Sequence, residues 1–85
     1  MDKPCRLELN NSGSWKLLGR VDAADAYQTD LVMDAAEALV QALHNSEDPK
    51  RCATLRISTD EALPEVLARW DIERGWREAR TGAAL

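Results

Sequence analysis

Hydrophobic and polar side chains alternate in three short segments of the chain, with the period of two that a half-buried β-strand requires. These segments are 5–10, 15–21 and 53–58. A stretch rich in Asn, Ser and Gly separates the first two segments. Because Asn and Gly tolerate a positive φ, this stretch predicts the turn of a β-hairpin.

The same alternation predicts which side chains of each strand face the core. In the first strand these are Leu7 and Leu9, with Arg6 and Glu8 on the other face. Gly19 interrupts the second strand and is a candidate for a bulge. The core-facing residues expected in the second and third strands are Trp15, Leu17, Val21, Leu55 and Ile57.

Between the second and third strands the hydrophobic period changes to that of an α-helix. From Leu31 to Leu43 the apolar residues cover roughly half of a 3.6-residue helical wheel. Thr29 is the expected N-cap, and the predicted main helix runs over about 29–44. This apolar face is wider than packing on one side of a small sheet requires. We therefore expect the part that the sheet leaves uncovered to pack against a second helix or a second copy of the chain. Its alanines would permit close approach of a helix.

The C-terminal third supports two interpretations. Leu63, Val66, Leu67 and Trp70 follow at i, i+3, i+4 and i+7, which predicts a shorter second helix ending near 70–74. Alternatively, residues 70–78 form a tight hairpin, with Asp71 opening its turn and Gly75 closing the turn in the left-handed conformation. Residues 80–85 are small and polar enough to fray.

These elements predict one small α+β domain over residues 1–85, because a chain of this length has room for a single core. The expected order is β-β-α-β-α. A three-stranded sheet would pack against the main helix, and the shorter C-terminal helix or turn would complete the core.

Charge adds an asymmetry to this picture. The formal net charge is −4, but seven acidic residues and no Lys or Arg occur over 22–48, whereas the strand-like segments on either side carry Arg6, Lys16, Arg20 and Arg56. No apolar run is long enough for a signal peptide or a membrane span, which favours a cytoplasmic protein without membrane contacts. Cys5 and Cys52 lack CxxC spacing, so we expect reduced, structural thiols.

Motifs for catalysis or cofactor binding are missing from the sequence. His44 is the single histidine and is expected to lie at the end of the main helix, where capping explains it better than catalysis. Asp30, Asp34 and Glu37 share one side of the helix and would support a metal-dependent enzyme only with further ligands. We therefore expect no cofactor and a protein that is not an enzyme.

One candidate binding surface is the outward face of the predicted sheet. It would present Arg6, Lys16, Arg20 and Arg56 around Leu18, and such a basic face suits a nucleic acid. With Trp15 expected to point inward, this face would lack an aromatic ring on which bases stack. Nucleic-acid binding is therefore the alternative function.

The function that the sequence favours is a non-enzymatic protein-interaction module. Trp70, Ile72 and Trp76 place two indoles and an isoleucine within seven residues, and Trp is enriched at interaction hot spots. The alternative is that a small protein with few aromatic residues uses both indoles in its own core. Of the two, Trp76 is the better candidate for exposure. The module would dock a partner protein, or a second copy of itself as a homodimer, through this exposed apolar surface.

Overall fold

The computed structural model describes residues 2–11, 13–44, 47–48 and 51–85. Within these ranges the chain forms five β-strands and one α-helix in the order β-β-α-β-β-β. The helix, α1, spans Ala26–Leu43 between the second and third strands. The strands are β1 (Pro4–Asn10), β2 (Trp15–Asp22), β3 (Thr54–Thr59), β4 (Val66–Asp71) and β5 (Gly75–Glu78).

The strands form a single antiparallel sheet in the order β2-β1-β3-β4-β5. Helix α1 packs on one face of this sheet, where its residues Ala36 and Val40 join the core. No described element covers the opposite face, which we call the open face. The buried hydrophobic residues are Cys5, Leu7, Val21, Ala36, Val40, Cys52, Leu55, Ile57, Ala68, Trp70 and Trp76.

The predicted three-stranded sheet with two helices is therefore wrong. The segment expected to form the second helix pairs instead with β3 and with β5, as strand β4. In β4 the alternation of Ala68 and Trp70 directs both side chains to the core, whereas Leu63, the first residue of the expected helical stripe, is 90% exposed. Helical and strand periods both fitted this short segment, and pairing with β3 decided between them.

The turn between β4 and β5 has the alternative geometry that the sequence allowed. The Asp71 carboxylate accepts hydrogen bonds from the backbone N–H groups of Glu73 (3.0 Å) and Arg74 (2.9 Å). Gly75 has a φ of +72°, in the left-handed region that glycine adopts without steric cost. The hairpin interpretation of residues 70–78 is thus confirmed, and Ile72 lies half-buried in its turn.

Helix α1 begins earlier than predicted. Its N-cap is Asp25, whose carboxylate accepts a hydrogen bond of 3.0 Å from the backbone N–H of Gln28. Thr29, the expected cap, lies inside the helix and donates its hydroxyl to the Asp25 carbonyl over 2.8 Å. Asp caps a helix at least as well as Thr does, so the earlier acidic residue prevails. The helix ends at the expected position, with His44 as its C-cap, and four residues of the following loop (45, 46, 49 and 50) lie outside the described residues.

A bulge in β2 changes which side chains face the core. The register with β1 shifts between the pairs Leu7↔Gly19 and Glu8↔Leu17, so Leu18 is the extra residue. Because one extra residue inverts the alternation, Leu17 joins the open face and is 46% exposed. Trp15 follows Leu17 onto the open face. Their predicted inward orientation is wrong.

The C-terminal residues, expected to fray, pair with the outer edge of β5. The backbone N–H of Glu78 donates to the Ala83 carbonyl over 2.9 Å, and that of Leu85 donates to the Trp76 carbonyl over 3.1 Å. A single β-bridge links Arg77 and Ala84. The short tail thus covers part of an edge strand that would otherwise expose unpaired backbone groups.

Cys5 and Cys52 are buried and carry free thiols. Burial raises the pKa of both thiols, which keeps them protonated and poorly nucleophilic at neutral pH. Over the described residues, no helix combines the length and the apolar character needed to span a bilayer.

Candidate binding surfaces

The two C-terminal tryptophans lie inside the protein. Trp70 is 1% exposed and Trp76 is 8% exposed, so the exposure predicted for Trp76 is wrong. The two residues are register partners on β4 and β5 and face α1 together. Their indole N–H groups donate to the Glu37 carboxylate over 2.8 Å and to the Met33 carbonyl over 3.1 Å. The two indoles are therefore not available to a partner, and of the three predicted residues Ile72 alone is partly exposed.

The exposed apolar surface lies instead on α1. Beside the buried residues Ala36 and Val40, a wide strip of the helix carries apolar side chains that no described element covers. The largest are Tyr27, Leu31, Leu39 and Leu43, which are 76%, 53%, 53% and 72% exposed. We call this strip the apolar face of α1, and it consists of Tyr27, Leu31, Ala35, Ala38, Leu39, Ala42 and Leu43.

This surface exists because no second helix is present among the described elements. The sequence predicted more apolar surface on α1 than the sheet can bury, and a second helix was one of the two elements expected to pack on it. The segment that was to supply that helix is paired in the sheet as β4, so the excess remains in solvent.

One edge of the apolar face is acidic. Asp30, Asp34 and Glu37 line a groove of about 330 Å³ between α1 and the β5 hairpin, together with Arg74 and Trp76. Glu37 accepts the hydrogen bond from Trp70, whereas Asp30 and Asp34 are exposed. No Lys or Arg occurs in α1, and three carboxylates line the groove against the single guanidinium of Arg74, so carboxylates outnumber cations at this acidic edge.

The structure places three of the four predicted basic residues together on the open face. Arg6 and Arg20 are register partners there, and Arg56 lies on the same face of the neighbouring strand. Lys16 does not join them, because the bulge aligns it with Leu9, a residue of the helix side.

Acidic neighbours neutralise much of this basic group. Asp60 accepts a hydrogen bond from Arg20 Nε over 3.1 Å. It also lies 3.5 Å from Arg6 Nε, an ion pair without an aligned hydrogen bond. The two arginines at this end of the open face therefore share one carboxylate, and their capacity for a phosphate ligand is reduced.

Glu8 plays the same role for Arg56 in the middle of the sheet. Its Oε1 accepts hydrogen bonds of 3.0 Å from Arg56 Nε and from Ser58 Oγ. Burial alone would raise the pKa of the Glu8 carboxyl, but these hydrogen bonds and the charges of Arg56 and Arg6 outweigh burial and hold the pKa below its usual value. Glu8 is therefore a structural anion of the open face.

Sequence reasoning missed three residues of this face. Arg69 on β4 is the register partner of Arg56, and Arg77 on β5 is the register partner of Arg69. Trp15 lies beside Arg56, whose guanidinium carbon is 4.1 Å from the centre of the indole ring. Arg69 was missed because residues 66–70 fitted a helix, and Arg77 because the hairpin over 70–78 was only one of two interpretations. Trp15 was missed because the bulge reversed the direction of its side chain.

Among the described residues, no three or more His, Cys, Asp and Glu side chains are grouped so that they could hold a metal ion. Comparisons with protein-family models, with curated proteins and with solved structures find no match to this chain.

Proposed function

We propose that this chain is a protein-interaction module, and that the apolar face of α1 binds an amphipathic segment of a partner protein that carries Lys or Arg along one edge. The observation that carries the proposal is the coincidence of an exposed apolar strip with an acidic edge on the same helix.

The size of the apolar face supports a partner of helical length. An α-helix of 18 residues is about 27 Å long, and apolar side chains follow it from Tyr27 to Leu43. Contiguous exposed apolar patches are uncommon on monomeric proteins and mark interaction sites. The alanines at 35, 38 and 42 lie between the larger side chains and leave room for a partner backbone to approach closely.

Charge favours a basic partner over a second copy. In a symmetric antiparallel pair of α1 helices, the acidic edges of the two copies would lie side by side, and the carboxylates of Asp30 and Asp34 would repel each other. A parallel pair would press each acidic edge against apolar side chains of the other copy and strip its carboxylates of water. Lys or Arg on the partner would instead pair with these carboxylates.

Two synthetic peptides test the proposal by NMR titration of the labelled protein. Both carry Leu at helical spacing, but the first carries Lys and the second Glu at the flanking positions. We expect amide shifts along α1 with the Lys peptide alone, and loss of these shifts in the variant combining Leu31→Gln and Leu39→Gln. Leu63→Gln is the matched control, because Leu63 is 90% exposed but lies outside α1.

Three outcomes would contradict the proposal. Equal amide shifts with both peptides would mean that the acidic edge does not select the partner. Amide shifts that are the same in the variant with Leu31→Gln and Leu39→Gln would mean that the apolar face does not bind the peptide. Shifts of the α1 amides on simple dilution of the protein would identify a second copy as the occupant. Circular dichroism of each variant checks that α1 is retained.

A further inference from the structure

Three arginines follow one another across the open face on adjacent strands. Arg56 on β3 pairs in register with Arg69 on β4, which pairs with Arg77 on β5. Side chains of register partners project to the same face and lie close together, and like charges at such positions destabilise a sheet. We call these three residues the arginine row. The guanidinium groups of the arginine row repel one another, and a bound anion would offset this repulsion.

The arginine row has spare capacity for an anion. Arg56 is occupied by Glu8, but Arg69 is exposed and makes no ion pair within the described part of the chain. Arg77 donates one hydrogen bond of 2.9 Å from Nη1 to the Gly82 carbonyl, and its Nε is buried out of reach of a ligand, so Nη2 is the donor that remains. Arg69 and Arg77 therefore keep donors for phosphate oxygens.

The open face also carries the aromatic ring of Trp15, on β2 at the opposite edge of the sheet from β5. Trp15 is half-buried, whereas Trp70 and Trp76 are buried, so Trp15 is the indole that reaches solvent. The Arg56 guanidinium stacks on one face of its ring, so a base can stack only on the opposite face. A partly exposed ring of this kind is a platform on which a nucleic-acid base can stack.

We infer that the open face binds single-stranded nucleic acid, with phosphates at Arg69 and Arg77 and a base stacked on Trp15. Strands β2 and β4 are three strand spacings apart, about 14 Å, which a strand of a few nucleotides spans. A flat sheet with an aromatic platform suits unpaired bases better than a duplex, whose bases are stacked inside. The site lies on the face opposite α1 and does not depend on the partner proposed for that helix.

Fluorescence anisotropy with labelled oligothymidylate and oligouridylate tests this inference. We expect binding at low salt that weakens as salt rises, with a slope of log K against log salt of about −0.7 for each phosphate contacted. Arg69→Gln should weaken binding and reduce the slope by about 0.7. Trp15→Leu should weaken binding about tenfold with little change in slope, because it removes stacking and no charge.

Arg80→Gln provides the matched control. It removes the same charge, but Arg80 is 82% exposed and pairs with Glu65 away from the arginine row. Equal losses of affinity for Arg69→Gln and Arg80→Gln would mean that binding depends on the overall charge of the protein and not on a site at the arginine row. This result would overturn the inference. Binding by Trp15→Leu that is as tight as that of the unchanged protein would also overturn the inference. So would tighter binding of a duplex of equal length. Inorganic polyphosphate that competes as well as an unlabelled oligonucleotide would overturn it too. The thermal unfolding of each variant shows that the sheet is intact.

Discussion

Trp70 on β4 and Glu37 on α1 join the two layers of the protein through a hydrogen bond of 2.8 Å between the indole N–H and the carboxylate. The Trp70 side chain is almost fully buried, and its N–H loses its acceptor in the protein if the carboxylate is removed. Together with the core residues Ala36 and Val40 and the hydrogen bond from Trp76 to the Met33 carbonyl, this contact joins α1 to the sheet.

Replacing Glu37 with Ala should lower the free energy of unfolding by about 1–2 kcal/mol, because a buried donor loses its partner. Asp34→Ala is the control, since Asp34 is exposed on the same helix. Urea unfolding of both variants measures the difference. Similar values for the two substitutions would mean that the Trp70 contact contributes nothing beyond helix propensity.

Glu8 should make the stability of the protein depend on pH in the acidic range. Its pKa is lower in the folded protein than in the unfolded chain, so the unfolded chain binds the proton more tightly. The stabilisation is thus complete above the unfolded value of about 4.3 and is lost as the pH falls through the folded pKa.

The variant Glu8→Gln isolates this contribution. At neutral pH it should lose about 1–3 kcal/mol of stability, because Arg56 then keeps no carboxylate partner at a site that is only partly open to water. Urea unfolding across a pH series should show the gap between the two proteins closing below about pH 4. A gap that stays constant down to pH 2 or so would show that the Glu8 charge is not its source.

Gly75 should resist replacement for a purely conformational reason. Its φ of +72° strains any residue with a Cβ, although a Cβ there would meet no atom within 4 Å. Gly75→Ala should therefore cost about 1–2 kcal/mol. Gly19→Ala is matched to it, because Gly19 has equally open surroundings without a positive φ. Thermal unfolding compares the stability of the two variants. An equal loss of stability would mean that the positive φ of Gly75 is not the cause.

The sequence by itself determined the elements whose pattern fits only one period. Alternation over residues 5–10 and 53–58 predicted β1 and β3 to within a residue of their ends, and the long apolar repeat predicted α1. These patterns are unambiguous because each is either strictly alternating or long enough to distinguish a period of 3.6 from a period of 2. Asp71 and Gly75 also carry a local turn signal, but the sequence left a helix ending near 70–74 as the other interpretation of this segment.

Tertiary structure decided the rest, because the deciding contacts join residues that are distant in sequence. The segment from Leu63 to Trp70 fits both periods, and hydrogen bonding to β3 made it a strand. The bulge in β2 is set by pairing with β1, and it moved Trp15 to the open face. The arginine row and the exposure of α1 both follow from that strand pairing, since only the finished sheet shows which residues become neighbours and which remain uncovered.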